Sequence, residues 1–194
     1  MKITSAEFVT GAVSLSQLPD GARKEIAFLG RSNVGKSSLI SSLCKIKKIA
    51  RSGRTPGKTR EINYFLINNQ FYFVDLPGYG YARLPDQMRA SLGALIEGYL
   101  QNRKSLAFVI QLIDARHEPT ELDKMMVGWL DYYGVPFEIV LTKSDKLARS
   151  RKAACVKEAE LVFSRFGACR GVLLSSSDSG EGRKEILQVL SEYC

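Results

Sequence analysis

Residues Gly30-Arg31-Ser32-Asn33-Val34-Gly35-Lys36-Ser37 fit the pattern G-x-x-x-x-G-K-[ST]. A loop of this kind turns consecutive backbone N–H groups, and the N-terminus of the helix that follows, toward a polyphosphate. Lys36 then reaches the β- and γ-phosphates, and the Ser37 hydroxyl sits on a magnesium ion. The flanks agree. Ile26-Ala27-Phe28-Leu29 reads as a strand, and Ser38-Leu39-Ile40-Ser41-Ser42-Leu43 carries leucines four residues apart, as on one helical face.

Three further pieces supply the rest of a nucleotide site. Asp75-Leu76-Pro77-Gly78 ends an apolar run. Asp75 is placed to hold magnesium through its water shell, and Gly78 to offer its N–H to a γ-phosphate. Thr142-Lys143-Ser144-Asp145 follows another apolar run. One carboxylate at Asp145 can accept from both N1–H and the 2-amino group of guanine. Adenine lacks that donor pair, so the residue selects GTP over ATP, while the Lys143 methylenes cover one face of the base. Ser175-Ser176-Ser177, after the last strand-like run, would present backbone N–H to guanine O6. Between the first two motifs lies Ser52-Gly53-Arg54-Thr55-Pro56-Gly57-Lys58-Thr59-Arg60, polar and basic with little to bury. A threonine from this stretch would ligate magnesium when GTP is bound. Thr55 and Thr59 both qualify, although Pro56 pushes Thr55 toward an extended backbone.

These loops need a scaffold that brings them to one edge. Apolar runs alternate with helical patterns. Ile62–Ile67 and Phe71–Val74 flank a turn at Asn68-Asn69-Gln70 and read as a hairpin. Leu106–Ile113, Phe137–Leu141 and Gly171–Leu174 read as strands buried on both faces. Helices are expected over about 85–101, 119–133, 147–166 and 180–192, with Thr120, Glu121 and Asp123 as start signals for the second. The alternation predicts an α/β fold of three layers, a mostly parallel central sheet with one antiparallel strand and helices on both faces. Residues 1–22 stand outside the alternation, with Ala6–Val9 as an extra edge strand, and are expected to extend the same domain that residues 23–194 form.

At 194 residues the chain suits one domain with a real core. No apolar run approaches the roughly 18–20 residues that span a bilayer, and Met1–Glu7 has no apolar h-region of a secretory signal. Four scattered cysteines and one histidine argue against zinc and for reduced thiols in the cytoplasm. Net charge is +8. Lys45, Lys47, Lys48, Arg51, Arg54, Lys58 and Arg60 form one basic stretch without an acid, and Lys146, Arg149, Arg151 and Lys152 form a second group. Each reads either as a solvated face or as part of a nucleic-acid surface. Without heptads or an obvious apolar stripe, a monomer is the default.

The order of the loops is that of a small GTPase, and several pieces are more distinctive. Residues 30–38 (Gly-Arg-Ser-Asn-Val-Gly-Lys-Ser-Ser), 56–59 (Pro-Gly-Lys-Thr) with Asn63 beyond, 75–82 (Asp-Leu-Pro-Gly-Tyr-Gly-Tyr-Ala), 114–119 (Asp-Ala-Arg-His-Glu-Pro) with Asp123 beyond, and 142–145 resemble the EngB/YihA/YsxC family of bacterial GTPases. The likeness runs through almost the whole chain. It implies a GTP/GDP switch that uses Mg²⁺, acts with the large ribosomal subunit and its rRNA during assembly, and is needed for normal cell division and septation. It favours Thr59 as the magnesium threonine beside Ser37 and Asp75, and so Lys36, Thr59 and Gly78 as the groups acting at the γ-phosphate. Gly57, Lys58, Arg60 and Glu61 count with the nucleotide site. Asn33 resembles the asparagine that related GTPases use to hold potassium, and reads equally as a loop-capping residue. Tyr79 stands where Ras-like GTPases carry the glutamine that orients the attacking water, so slow intrinsic hydrolysis is expected. His117 reads as a packing or surface residue. The rival to the ribosomal reading is a septum-associated scaffold GTPase that does not touch RNA. An ATPase on the same loop is disfavoured by Asp145.

Overall fold

The computed structural model describes residues 1–45, 61–80 and 85–194. These form seven strands and five α-helices: β1 (Ala6–Ala12), β2 (Glu25–Gly30), α1 (Lys36–Cys44), β3 (Ile62–Ile67), β4 (Phe71–Asp75), α2 (Asp86–Asn102), β5 (Leu106–Asp114), α3 (Glu121–Tyr132), β6 (Phe137–Thr142), α4 (Arg149–Phe163), β7 (Cys169–Leu174) and α5 (Arg183–Leu190). One sheet holds all seven strands in the order β1-β3-β4-β2-β5-β6-β7. Strand β3 runs antiparallel to both its neighbours, and the other described pairings are parallel. The expected α/β architecture with one reversed strand is therefore what forms.

Burial explains the layers. Strands β2 and β6 are buried throughout, so their side chains feed both faces. Alternate residues divide. Ala27 and Leu29 meet α2, α3 and α4 through Ile96, Tyr99, Met126, Val127, Leu130 and Phe163. Ile26 and Phe28 meet α1 and α5 through Leu39, Ile40, Leu43, Ile186 and Leu190. Each fully buried Leu, Ile, Val, Met or Phe among these contributes about 1.5–3 kcal/mol. Strand β7 departs from expectation: residues 171–174 are half-buried, because it forms the sheet edge with β6 on one side alone. At the opposite edge, β1 pairs with β3 from Ala6 to Ala12 with a bulge near Val9, longer than the four residues expected. Helix α3 begins in a full capping box, with Thr120 accepting from the Asp123 N–H and Asp123 reaching back to the Thr120 N–H.

The sheet reverses its direction of growth at β2. The chain leaves β2 for β3 and β4 on one side and later returns to β5 on the other. In open α/β sheets a ligand crevice lies beyond the carboxyl ends of the strands at such a point. The loops after β2, β4, β5, β6 and β7 all emerge at that edge. No helix among the described residues is long and apolar enough to cross a membrane.

Candidate functional site

Gly30 ends β2 where a Cβ would come within 2.9 Å of both the Leu112 carbonyl and the Val34 side chain, so the strand stops on a residue without one. Two positive-φ residues then shape the loop, Asn33 at 64° and Gly35 at 108°. Asparagine is among the few side chains that tolerate this region, which gives Asn33 a backbone role whatever its amide does. Helix α1 starts at Lys36 with Gly35 as its N-cap, and the Leu39 N–H closes the first turn on the Gly35 carbonyl at 2.9 Å. Its leading N–H groups therefore face the crevice. The Lys36 ammonium forms a salt bridge with the Asp75 carboxylate. Both are buried, at 7% and 2% exposure, so the charges satisfy each other in a low dielectric. Lys36, the adjoining Ser37 and Asp75 are thus brought to one spot.

The loop after β6 is fastened to the loop after β2. Thr142 Oγ1 donates to the Val34 carbonyl at 2.7 Å, and Lys143 Nζ donates to the Asn33 carbonyl at 2.9 Å. Lys143, at φ 60°, also pairs with Asp114 at 2.8 Å. Burial works against the Asp114 anion, but Arg116 and Lys143 win and hold its carboxyl well below the usual range. Asp145 accepts from Lys146 and from Ser176 Oγ, each at 2.8 or 2.7 Å, and these two donors keep it below the ordinary carboxylate value. Ser144 donates to Glu181 at 2.5 Å, and Lys152 pairs with the same carboxylate at 2.7 Å.

The serine triplet is not used evenly. The Ser175 N–H donates to the Leu141 carbonyl and the Ser176 N–H to the Glu181 carbonyl. Ser177 carries the N–H of the three that has no partner among the described residues.

Tyr79, the residue after Gly78, lies against the loop that follows β2. The Tyr79 N–H donates to the Gly30 carbonyl at 3.3 Å, and the Ser32 N–H donates to the Tyr79 carbonyl at 2.9 Å. The Leu76 N–H donates to Phe28 at 3.2 Å. The Tyr79 ring turns inward: its hydroxyl donates to Asp123 at 2.7 Å and accepts from Gln111 Nε2 at 2.5 Å. Burial, and then the Asp123 carboxylate, push the phenol well above its ordinary value, so it stays a proton donor.

A cavity of about 220 Å³ opens beside the phosphate loop, lined among others by Arg31, Asn33, Asp114, Arg116, His117 and Lys143. His117 is exposed on its wall. Thr55, Gly57, Lys58, Thr59 and Arg60 lie outside the described residues, as do Lys47, Lys48, Arg51 and Arg54 of the first basic stretch. Glu61 is described, and its carboxylate lies against Gly11 of β1. The second basic group is largely neutralised: Lys146 meets Asp145, Arg151 meets Glu158 and Lys152 meets Glu181. Sequence reasoning missed the roles of Gln111 and Glu181. A signal existed for Gln111, a single amide in a run otherwise apolar from Leu106 to Ile113.

The sheet order and the loops at its carboxyl edge define a P-loop GTPase. A family model described as 50S ribosome-binding GTPase matches residues 25–143. The Chlorobaculum parvum protein named probable GTP-binding protein EngB is 50% identical over 193 residues, spanning 100% of this chain and 99% of its own. Its namesake from Desulforamulus reducens is 47% identical over 196 residues, spanning 100% and 94%. The chain belongs to the EngB family of GTP-binding proteins. In fold it resembles a crystal structure of a probable GTP-binding protein EngB (TM-score 0.73, 24% identity, 87% of this chain and 97% of that one). It also resembles Era solved with MgGDPNP and 16S ribosomal RNA nucleotides (TM-score 0.69, 20% identity, 88% and 56%).

Proposed function

We propose that this GTPase is a slow, Mg²⁺-dependent switch acting in assembly of the large ribosomal subunit, and through that in normal cell division and septation. The observation that carries the nucleotide half is the pair of bonds from Thr142 and Lys143 to the Val34 and Asn33 carbonyls. They make the base loop and the phosphate loop one rigid piece, so purine and polyphosphate recognition are set by a single geometry. The family description as ribosome-binding supports the other half.

In this reading the N–H groups of residues 30–37 and the start of α1 hold the phosphates. Lys36 exchanges Asp75 for the β- and γ-phosphates. Asp145, kept ionised by Lys146 and Ser176, accepts from guanine N1–H and the 2-amino group. The Ser177 N–H is the donor left for O6, since those of Ser175 and Ser176 are engaged. The donor set for magnesium is the Ser37 hydroxyl, the buried Asp75 carboxylate and, by family likeness, Thr59. Hard oxygens of this kind fit Mg²⁺, which keeps several waters and takes phosphate oxygens. When bound it would supply charge neutralisation at the phosphates. Asn33 is proposed to hold K⁺ as an activator.

Gly78 offers its N–H to the γ-phosphate. Because Tyr79 Oη faces Asp123 and Gln111, no side chain at that position is aimed at an attacking water, which supports a low intrinsic rate. Residues 1–22, tied to β3 through β1, act as part of the same domain. The switch works as a cytoplasmic monomer. Sedimentation of a lysate on a sucrose gradient tests the ribosomal assignment: the protein should ride with the large subunit in a nonhydrolysable GTP analogue and not in GDP. Co-purification with septal proteins in both nucleotides, without ribosomal particles, would favour the scaffold function instead.

A further inference from the structure

Tyr79 directly follows Gly78 and is held from both its backbone and its side chain. Its N–H and carbonyl bond Gly30 and Ser32, so it forms a one-residue bridge to the phosphate loop beside Arg31. Its hydroxyl joins β5 to α3 by accepting from Gln111 and donating to Asp123. Asp123 is shared. One oxygen takes the Tyr79 proton, and the other accepts from the Thr120 N–H at 2.8 Å and the Thr120 hydroxyl at 2.7 Å. The carboxylate that caps α3 is therefore the carboxylate that holds Tyr79. Burial of a tyrosine calls for a single partner, and this one bridges two elements.

The slot is also incomplete. Gln111 is fully buried, and its Oε1 is a buried side-chain acceptor with no partner among the described residues. Swapping the amide does not cure this, because Tyr79 already donates to Asp123 and needs a donor from Gln111. The Tyr79 hydroxyl itself has both its partners, so the missing donor is one for Gln111, which makes Gln111 the less firmly held of the two clamps.

We propose that Tyr79 is a positioning residue for γ-phosphate recognition: clamped by Asp123 and Gln111, it fixes the Gly78 amide against the phosphate loop and couples it to the N-terminal cap of α3. The proposal rests on Gly78 being the γ-phosphate donor. It assigns the tyrosine after Asp-x-x-Gly a task different from that of a water-orienting glutamine. Nucleotide state is read at Gly78 and delivered to α3 through one hydrogen-bonded relay.

The test compares affinities of the full chain for GDP and for a nonhydrolysable GTP analogue, together with thermal melting. Tyr79→Phe removes the hydroxyl and keeps the ring. It should leave GDP affinity within about twofold and weaken the analogue about tenfold, a size ordinary for coupling between sites. Asp123→Asn should shift the ratio in the same direction, and the double variant should lose no more than the worse single one, because both cut one relay. Gln111→Met, which keeps the Tyr79–Asp123 bond, should give a smaller shift, about threefold. A fall in melting temperature with an unchanged ratio in all three would mean that the network only stabilises the fold, and would overturn the proposal. Gly78→Pro, which removes that N–H, separates the two levels. If it weakens the analogue relative to GDP while Tyr79→Phe does not, the positioning role fails and the γ-phosphate assignment stands. If it leaves that ratio unchanged, the assignment fails, and the proposal with it.

Discussion

Strand β2 has a buried polar network at each end, and the two are built on different principles. At its start, Glu25 is fully buried and completely used. One oxygen accepts from the Tyr64 and Tyr99 hydroxyls at 3.0 and 2.7 Å. The other accepts from Arg103 Nε at 2.8 Å and Ser105 at 2.9 Å, with a second guanidinium nitrogen also in contact. Burial, and then the Glu25 charge, raise both phenols, so they remain donors. At the far end, the phosphate-loop side, partners are left short. Among the described residues Gln111 Oε1 and the Ser177 N–H have none, and Lys36 has Asp75 alone. A saturated network can only fasten, whereas an unsaturated one leaves groups for something else to satisfy. The difference separates the end that holds the domain together from the end proposed to bind.

Substitutions that strike one end and spare the other sharpen this contrast. The largest effect is expected at Asp145. Asp145→Asn removes the acceptor for two guanine donors, and sites built on such bonds reject a mismatched partner by about 10⁴-fold. GDP affinity should fall by that order and preference should move toward xanthine nucleotides, with little change in melting temperature. Competition calorimetry reads both, and guanine selectivity surviving in the variant would remove the base-site assignment.

The mirror experiment is Glu25→Gln. It leaves Arg103 beside a neutral group and asks the tyrosines to share an amide, and breaking a buried ion pair costs about 3–5 kcal/mol. Urea unfolding should record that loss while GDP affinity stays within about threefold. A large drop in affinity at unchanged stability would break the division of labour between the two ends.

At Asn33 the expected effect is smaller. Potassium should speed GTP hydrolysis over sodium on the order of tenfold, about 1.4 kcal/mol of barrier, and Asn33→Ala should erase the difference. Equal rates for the parent protein in the two salts would remove the potassium site.

The sequence made the binding end far more legible than the fastening end. Motif chemistry is local: eight consecutive residues announce a phosphate loop, and Thr142–Asp145 carry their own logic. Strand Ile62–Ile67 could be bounded to the residue, because Asn68 and Asn69 accept the positive φ that a tight turn demands. Glu25 gave no such sign. Its partners come from β3, α2 and the loop before β5, far apart in the chain. The inward turn of Tyr79 was hidden for the same reason, since side-chain direction after Gly78 is decided by what β5 and α3 place beneath it. The proposal of Ser177 over the other two serines depends on which N–H groups the neighbouring carbonyls of Leu141 and Glu181 have already taken.

One carboxylate belongs to neither end and tests the rule in its limit. Glu138 on β6 is buried at 4% exposure, beside Gly171 and below the end of α5, where Glu192 stands. It has no hydrogen-bond partner among the described residues. Where Glu25 is ionised and surrounded by donors, Glu138 has its carboxyl pushed up from 4.5 to about 7, first by burial and then by the Glu192 charge. A raised carboxyl favours the neutral acid in the fold. Its contribution to stability is therefore complete below about pH 4.5 and disappears as pH rises through 7. Glu138→Gln, which copies the neutral acid, should leave stability unchanged near pH 4. At pH 8 it should raise stability by about 1–2 kcal/mol, a figure reduced for the water that still reaches the site. Thermal denaturation of both proteins from pH 4 to 8 measures the divergence. A gain independent of pH would place the effect in packing against α5 and leave Glu138 ionised at a cost the fold absorbs elsewhere.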